Sequence, residues 1–104
     1  MADVLTIYEG SSANTNEATV ATIASGKAFI MQGFAVSNAN ATSKYFTLKI
    51  GTDTVLAFQH AVPTKDSIAR NDLNIPILTG KTIKFTSEVA NDLDYYIWGI
   101  TIDV

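Results

Sequence analysis

The stretch from Asp94 to Val104 constrains this chain more than any other. In an extended segment successive side chains alternate between faces. Tyr96, Trp98, Ile100 and Ile102 therefore share one face, and Tyr95, Ile97 and Thr101 the other, with Gly99 between them. Both faces are largely apolar. Such a segment belongs in the interior of a sheet, with strands on either side and a packed layer over at least one face. The expected fold is an all-β body that closes by inserting its most apolar strand between earlier ones, so that the C-terminal residues are a structural member.

The preceding segments carry the same signature. Asp3 to Tyr8 alternates, and the polar run Glu9 to Asn16 follows as a loop. Ala18 to Ala24 holds the β-branched Thr19, Val20, Thr22 and Ile23 and stops at Ser25-Gly26. Lys27 to Asn38 is the longest apolar run. Simple alternation puts Phe29 and Met31 on one side and Ile30, Phe34 and Val36 on the other, and Gly33 marks a bulge or a close backbone approach. Tyr45 to Ile50 alternates cleanly, with Phe46, Leu48 and Ile50 inward and Tyr45, Thr47 and Lys49 outward. It forms a hairpin through Gly51-Thr52-Asp53 with Thr54 to His60. Ser67 to Ile75 is a weaker strand limited by Pro76, and Lys81 to Ser87 sets Ile83 and Phe85 against Thr82, Lys84 and Thr86. No segment sustains a helical period, and Asn91 to Tyr95 is too short for a helix to stand alone. About eight antiparallel strands at this spacing predict a single-domain β-sandwich over residues 1–104. A last strand inside a sheet makes it jelly-roll-like, with the first strand expected inside a sheet as well.

Composition narrows the function. With 47% hydrophobic and 16% charged residues in 104, the chain is expected to fold compactly around one core. The absence of cysteine excludes disulfides, thiolate nucleophiles and cysteine-ligated metals. Seven basic residues, scattered singly under a net charge of -3, provide no stripe for phosphates, so nucleic acid is not an expected partner. A membrane is not expected either, because no apolar run approaches the roughly 20 residues of a spanning helix. Met1-Ala2-Asp3-Val4 does not read as a secretory signal, and synthesis in a cytoplasm is the expectation.

Chemistry-bearing residues are sparse. His60 is the single histidine, so any nucleophilic triad would pass through it with Ser37, Ser67 or Ser87, and no nucleophile-elbow sequence exists. The expected role of His60 is a strand-end surface residue, and no catalytic residue, metal ligand or cofactor site is assigned. Asn91-Asp92-Leu93-Asp94, with Asp53 or Glu88, offers oxygens but lacks the ligand number and spacing of a calcium loop, and reads as a polar turn. Asn40-Ala41-Thr42 fits a glycosylation triplet and means no more than an exposed loop. Of the aromatic residues, Tyr45 and Tyr95 are expected on the surface and Trp98 in the core. These three are the candidate interface or ligand contacts, whether for protein or for a sugar stacked on an aromatic face.

Four segments together resemble the small β-sandwich virion proteins of tailed bacteriophages, of the head-decoration or tail and fibre-associated kind. They are Phe34-Ala35-Val36-Ser37-Asn38 before a polar loop, Phe46 to Gly51, Ile75-Pro76-Ile77-Leu78-Thr79-Gly80-Lys81-Thr82-Ile83, and Tyr96-Ile97-Trp98-Gly99-Ile100. Lys81 stands where those proteins commonly carry an acidic residue. The resemblance implies a non-enzymatic structural role without a cofactor: a homo-oligomer docked on other virion proteins and located in the virion after synthesis in the host cytoplasm. The alternative expectation, from a different class, is a lectin-like module that binds glycan.

Overall fold

The computed structural model describes residues 3–12, 19–51, 54–87 and 93–104, with only the backbone described at 54, 55 and 57–59. The strands in chain order are β1 (Val4–Ser11), β2 (Thr19–Thr22), β3 (Lys27–Asn38), β4 (Lys44–Ile50), β5 (Thr54–Val62), β6 (Asp66–Arg70), β7 (Ile75–Ile77), β8 (Thr82–Ser87) and β9 (Asp94–Asp103). All pairings are antiparallel. Sheet A runs β1-β9-β3-β6, with β7 also on β3, and sheet B runs β2-β8-β4-β5.

β6 and β7 occupy the same edge of β3 in succession. The first lies opposite Phe34 to Asn38 and the second opposite Phe29 to Met31. The expected Ser67 to Ile75 strand is thus broken at 71–74, where Leu73 N–H bonds Gln32 C=O at 3.0 Å. Opposite the break, β3 carries its own irregularity between Met31 and Gly33. Counting β6 and β7 as one strand leaves eight, and the pairs β1 with β9, β2 with β8, β3 with β6/β7, and β4 with β5 nest inside one another. A long hairpin folded over on itself in this way is a jelly roll, and the all-β sandwich expectation holds. The first strand departs from it: among the described residues β1 pairs only with β9 and is an edge of sheet A, whereas β9 lies between β1 and β3.

The core lies between the sheets. Phe29, Met31, Phe34, Val36 and Ile97 from sheet A meet Phe46, Leu48, Ile83 and Phe85 from sheet B. Their rings interlock: Phe46 stacks on Phe85 with centroids 5.2 Å apart, and Phe34 meets Phe46 edge-on at 6.2 Å. Phe34 and Val36 lie with Phe29 and Met31, not opposite them. The bulge at Gln32 and Gly33 adds one residue and reverses the parity of everything after it. β4 follows its expected alternation, with Phe46 and Leu48 buried and Tyr45 exposed.

Two buried polar side chains fasten the same end of the sandwich. The Asn38 amide donates to Val62 C=O at 2.9 Å and Thr42 C=O at 3.0 Å, while its oxygen accepts from Asn40 N–H at 2.8 Å. This ties the 39–43 loop to the end of β5. Ser12 shares a 2.7 Å hydroxyl bond with Ser87 and accepts from Leu93 N–H at 3.2 Å, joining both sheets to the start of β9. A buried polar group without partners would be costly, and these have them.

Candidate functional site

Residues paired across an antiparallel ladder share a face, so the register defines the surface of each sheet. On the outer face of sheet A, Ile7 lies beside Trp98 and Gly33, Leu5 beside Ile100 and Ile30, and Ile102 beside Ala28. Leu5 is 68% exposed, Ile7 43% and Tyr96 39%, while Ile30, Trp98, Ile100 and Ile102 are half-buried. The outer face of sheet B is composed differently. Thr47 pairs with Thr86 and Lys49 with Lys84 there, and Tyr45 lies at one end. Lys84 and Thr86 are buried and Thr47 and Lys49 half-buried, but all four are polar, whereas the rows on the outside of sheet A are large and apolar.

Glycine shapes this surface. At Gly33 an added Cβ would sit within 2.7 Å of Trp98 Cε2 and inside contact distance of Arg70 C=O. The indole therefore lies flat across β3 because residue 33 has no side chain, which is the close approach expected of that glycine. Trp98 also meets Tyr96, with centroids 5.9 Å apart.

The three expected contact residues fall on three different surfaces. Tyr45 is exposed on the outer face of sheet B, as anticipated. Trp98 is on the outer face of sheet A and not in the core. Tyr95 faces inward, with its ring 5.0 Å from that of Phe85 and its hydroxyl against Gly10. Burial raises the Tyr95 phenol above its ordinary value, and it does the same to Tyr8, whose ring meets Phe29 at 5.3 Å. Tyr95 and Trp98 thus exchange their expected positions. Both faces of β9 are apolar, and volume decides between them: Gly99 and Thr101 are small enough to admit Phe29, whose Cε1 would lie 2.8 Å from a Cβ on Gly99. Tyr96 joins the surface on the face it was expected to share with Trp98, and Leu5 and Ile7 join it without having been singled out as contacts in the sequence. The signal that could have found them is their alternation in phase with Trp98.

At one end this face becomes polar. Ser11, Asp94, Ser37 and Ser67 form a cross-strand row, and Ser11 donates to Asp94 at 2.8 Å. With Glu9 and Tyr96 they border a shallow depression of about 470 Å³. A second cavity, of about 260 Å³, opens between the sheets where β5 and β6 form the sandwich edge. It is lined by Phe34, Phe46, Leu56, Ile68 and Leu73, with His60 and Arg70 among its walls. His60 lies against Phe46, with centroids 5.5 Å apart. Arg70 donates to Asp72 at 3.1 Å and holds that carboxyl below its ordinary range.

His60 is exposed on β5, whereas Ser37 and Ser67 belong to the outer face of sheet A and Ser87 bonds Ser12. The structure does not assemble these residues into a triad. Among the described residues no three His, Asp or Glu side chains gather as a metal site, and Asn91, Asp92, Asp53 and Glu88 lie outside the described residues. Asn40 lies in the 39–43 loop, donates its backbone N–H to the Asn38 side-chain oxygen, and so belongs to a structural turn.

Comparison of the chain with protein-family models, with curated proteins and with solved structures yields no match in any of the three.

Proposed function

We propose that this chain is a non-enzymatic assembly protein that acts by self-association and by docking on a larger structure, with a bacteriophage virion as the setting. The observation that supports this reading is the difference between the two sheet exteriors. A sandwich that needed only its own core would have two polar outer faces, and here one carries Leu5, Ile7, Ile30, Trp98, Ile100 and Ile102 in register. Apolar area on this scale stabilises an assembly at roughly 25 cal/mol per Å² removed from water, before the entropic cost of association. The virion setting rests on the resemblance of the four segments named above, and homo-oligomerisation on the common preference of such domains for symmetric partners.

Two measurements test the reading together: light scattering of the purified chain over a range of concentrations, and immunolabelling of purified virus particles from the source of the sequence. An oligomer in the first and regularly repeated label in the second are expected. A strict monomer at high concentration with unlabelled particles refutes it.

Glycan binding keeps one observation in its favour, at a place other than the expected one. The depression bordered by Tyr96, Glu9, Asp94, Ser37 and Ser67 sets an aromatic ring beside carboxylates and hydroxyls, a combination suited to a sugar. A glycan array probed with the chain and with Tyr96→Ala tests it. Binding lost in the variant supports this second reading, and an array without binders removes it.

A further inference from the structure

The four sheet edges of the sandwich are not alike. An edge strand exposes unpaired N–H and C=O groups, and proteins that stay monomeric blunt such edges with short strands, bulges, proline or charge. β2 has four residues and a register shift between Thr19 and Ala21. β5 carries two shifts in its pairing with β4. The β6/β7 edge is broken at 71–74 and bears Arg70, Asp72 and Pro76. β1 is the least protected, with one charge as its single device. It pairs with β9 over Val4 to Ser11 without a shift, contains no proline or lysine, and has Glu9 as its single formal charge. Among the described residues no strand occupies its other side.

We infer that the free edge of β1 is a self-pairing edge, on which β1 of a second copy of this chain docks antiparallel and continues sheet A across a two-fold axis. This rests on the reading of the chain as a self-associating assembly protein and specifies how it would do so. An antiparallel strand related by a two-fold axis is complementary to itself, so one edge suffices for a closed interface. In any register that keeps the pleats in phase, Leu5 and Ile7 of both copies stay on the same face. The apolar rows on the outside of sheet A, which begin at Leu5 and Ile7, then run unbroken from one copy into the other.

The area involved sets the strength. Eight residues at about 3.4 Å each make an edge of about 27 Å, which over a sheet thickness of about 10 Å presents about 270 Å² per copy. A standard stable interface takes about 800 Å² per partner. Edge pairing alone therefore produces a dimer that grows in with concentration and dissociates on dilution.

The test combines sedimentation velocity with residue-resolved hydrogen exchange on the unmodified chain, at dilute and concentrated conditions. Every second residue of β1 turns its N–H away from β9. On concentration, these amides are expected to slow at least tenfold while the β9-bonded set is unchanged. The double variant Leu5→Lys, Ile7→Lys is expected to weaken self-association at least tenfold, and Ile102→Lys, on the same outer face but on β9 and not on the pairing strand, to leave it within about threefold. If the chain associates but the outward β1 amides gain no protection, or if Ile102→Lys disrupts association and the β1 variant does not, edge pairing is overturned while the assembly reading stands. A chain that stays monomeric at every concentration overturns both. The exchange measurement uses the native sequence, so it remains decisive if a lysine variant fails to fold.

Discussion

Replacing Gly33 by alanine tests the relation between the β3 bulge and the indole of Trp98. The new methyl group would meet Trp98 Cζ2 and Cε2 on one side and Arg70 C=O on the other, and the backbone carbonyl cannot rotate away. Overpacking of this kind costs about 1–3 kcal/mol. The loss of glycine's freedom in the unfolded chain returns about 0.4–1 kcal/mol. A net destabilisation of up to about 2.6 kcal/mol remains, centred near about 1.3 kcal/mol, and for a domain near 100 residues that central value lowers the melting temperature by about 5–10 °C. Thermal unfolding followed by circular dichroism measures it. Trp98 is the only tryptophan, so its emission reports the displacement directly and should shift to the red as the ring is pushed toward water. Adding Trp98→Phe removes the Cζ2 and Cε2 clash but leaves the carbonyl. The double variant should therefore lose less than the sum of the singles, by about 0.5–1.5 kcal/mol of coupling. An alanine variant with unchanged melting temperature and unchanged emission would show that the indole does not cross β3 at residue 33.

Three further outcomes follow from the packing. Phe46→Ala removes a ring that is 1% exposed and meets Phe34, Phe85 and His60, and should cost about 3–5 kcal/mol in a urea titration. Asn38→Ala strips the bonds to Val62, Thr42 and Asn40 and leaves buried carbonyls unmatched. A loss of about 1–3 kcal/mol is expected, with faster hydrogen exchange in the 39–43 loop. The phenols of Tyr8 and Tyr95 are raised in the fold above 10.0 by burial, so the unfolded chain releases these protons first. Their contribution to stability is complete below pH 10 and is lost as pH rises from there through the higher folded values. Tyr8→Phe with Tyr95→Phe should flatten the alkaline decline in melting temperature, and an unchanged slope would contradict the assignment.

Alternation alone was enough to place β4, β8 and β9 and to sort their residues into two sets, because a pleated strand admits no other arrangement. Phe46, Leu48, Ile83 and Phe85 face inward as their polar neighbours require. Where both sets were apolar the pattern was silent. In β9 it could not say that Tyr95 and Ile97 rather than Trp98 and Ile100 turn inward, since that depends on whether Gly99 and Thr101 leave room for Phe29 on a neighbouring strand. In β3 it located the irregularity at Gly33 but not its consequence, that one added residue returns Phe34 and Val36 to the core.

The residues by themselves therefore determined an all-β sandwich, its hairpin at β4 and β5, and the position of the last strand inside a sheet. These follow from local periodicity and from the need to hide two apolar faces. Tertiary structure alone decided that β1 is an edge, that the apolar surplus lies on the outside of sheet A, and which aromatic rings are exposed. Those properties depend on which strands become neighbours and on how their side-chain volumes fit, and neither is encoded within any single segment.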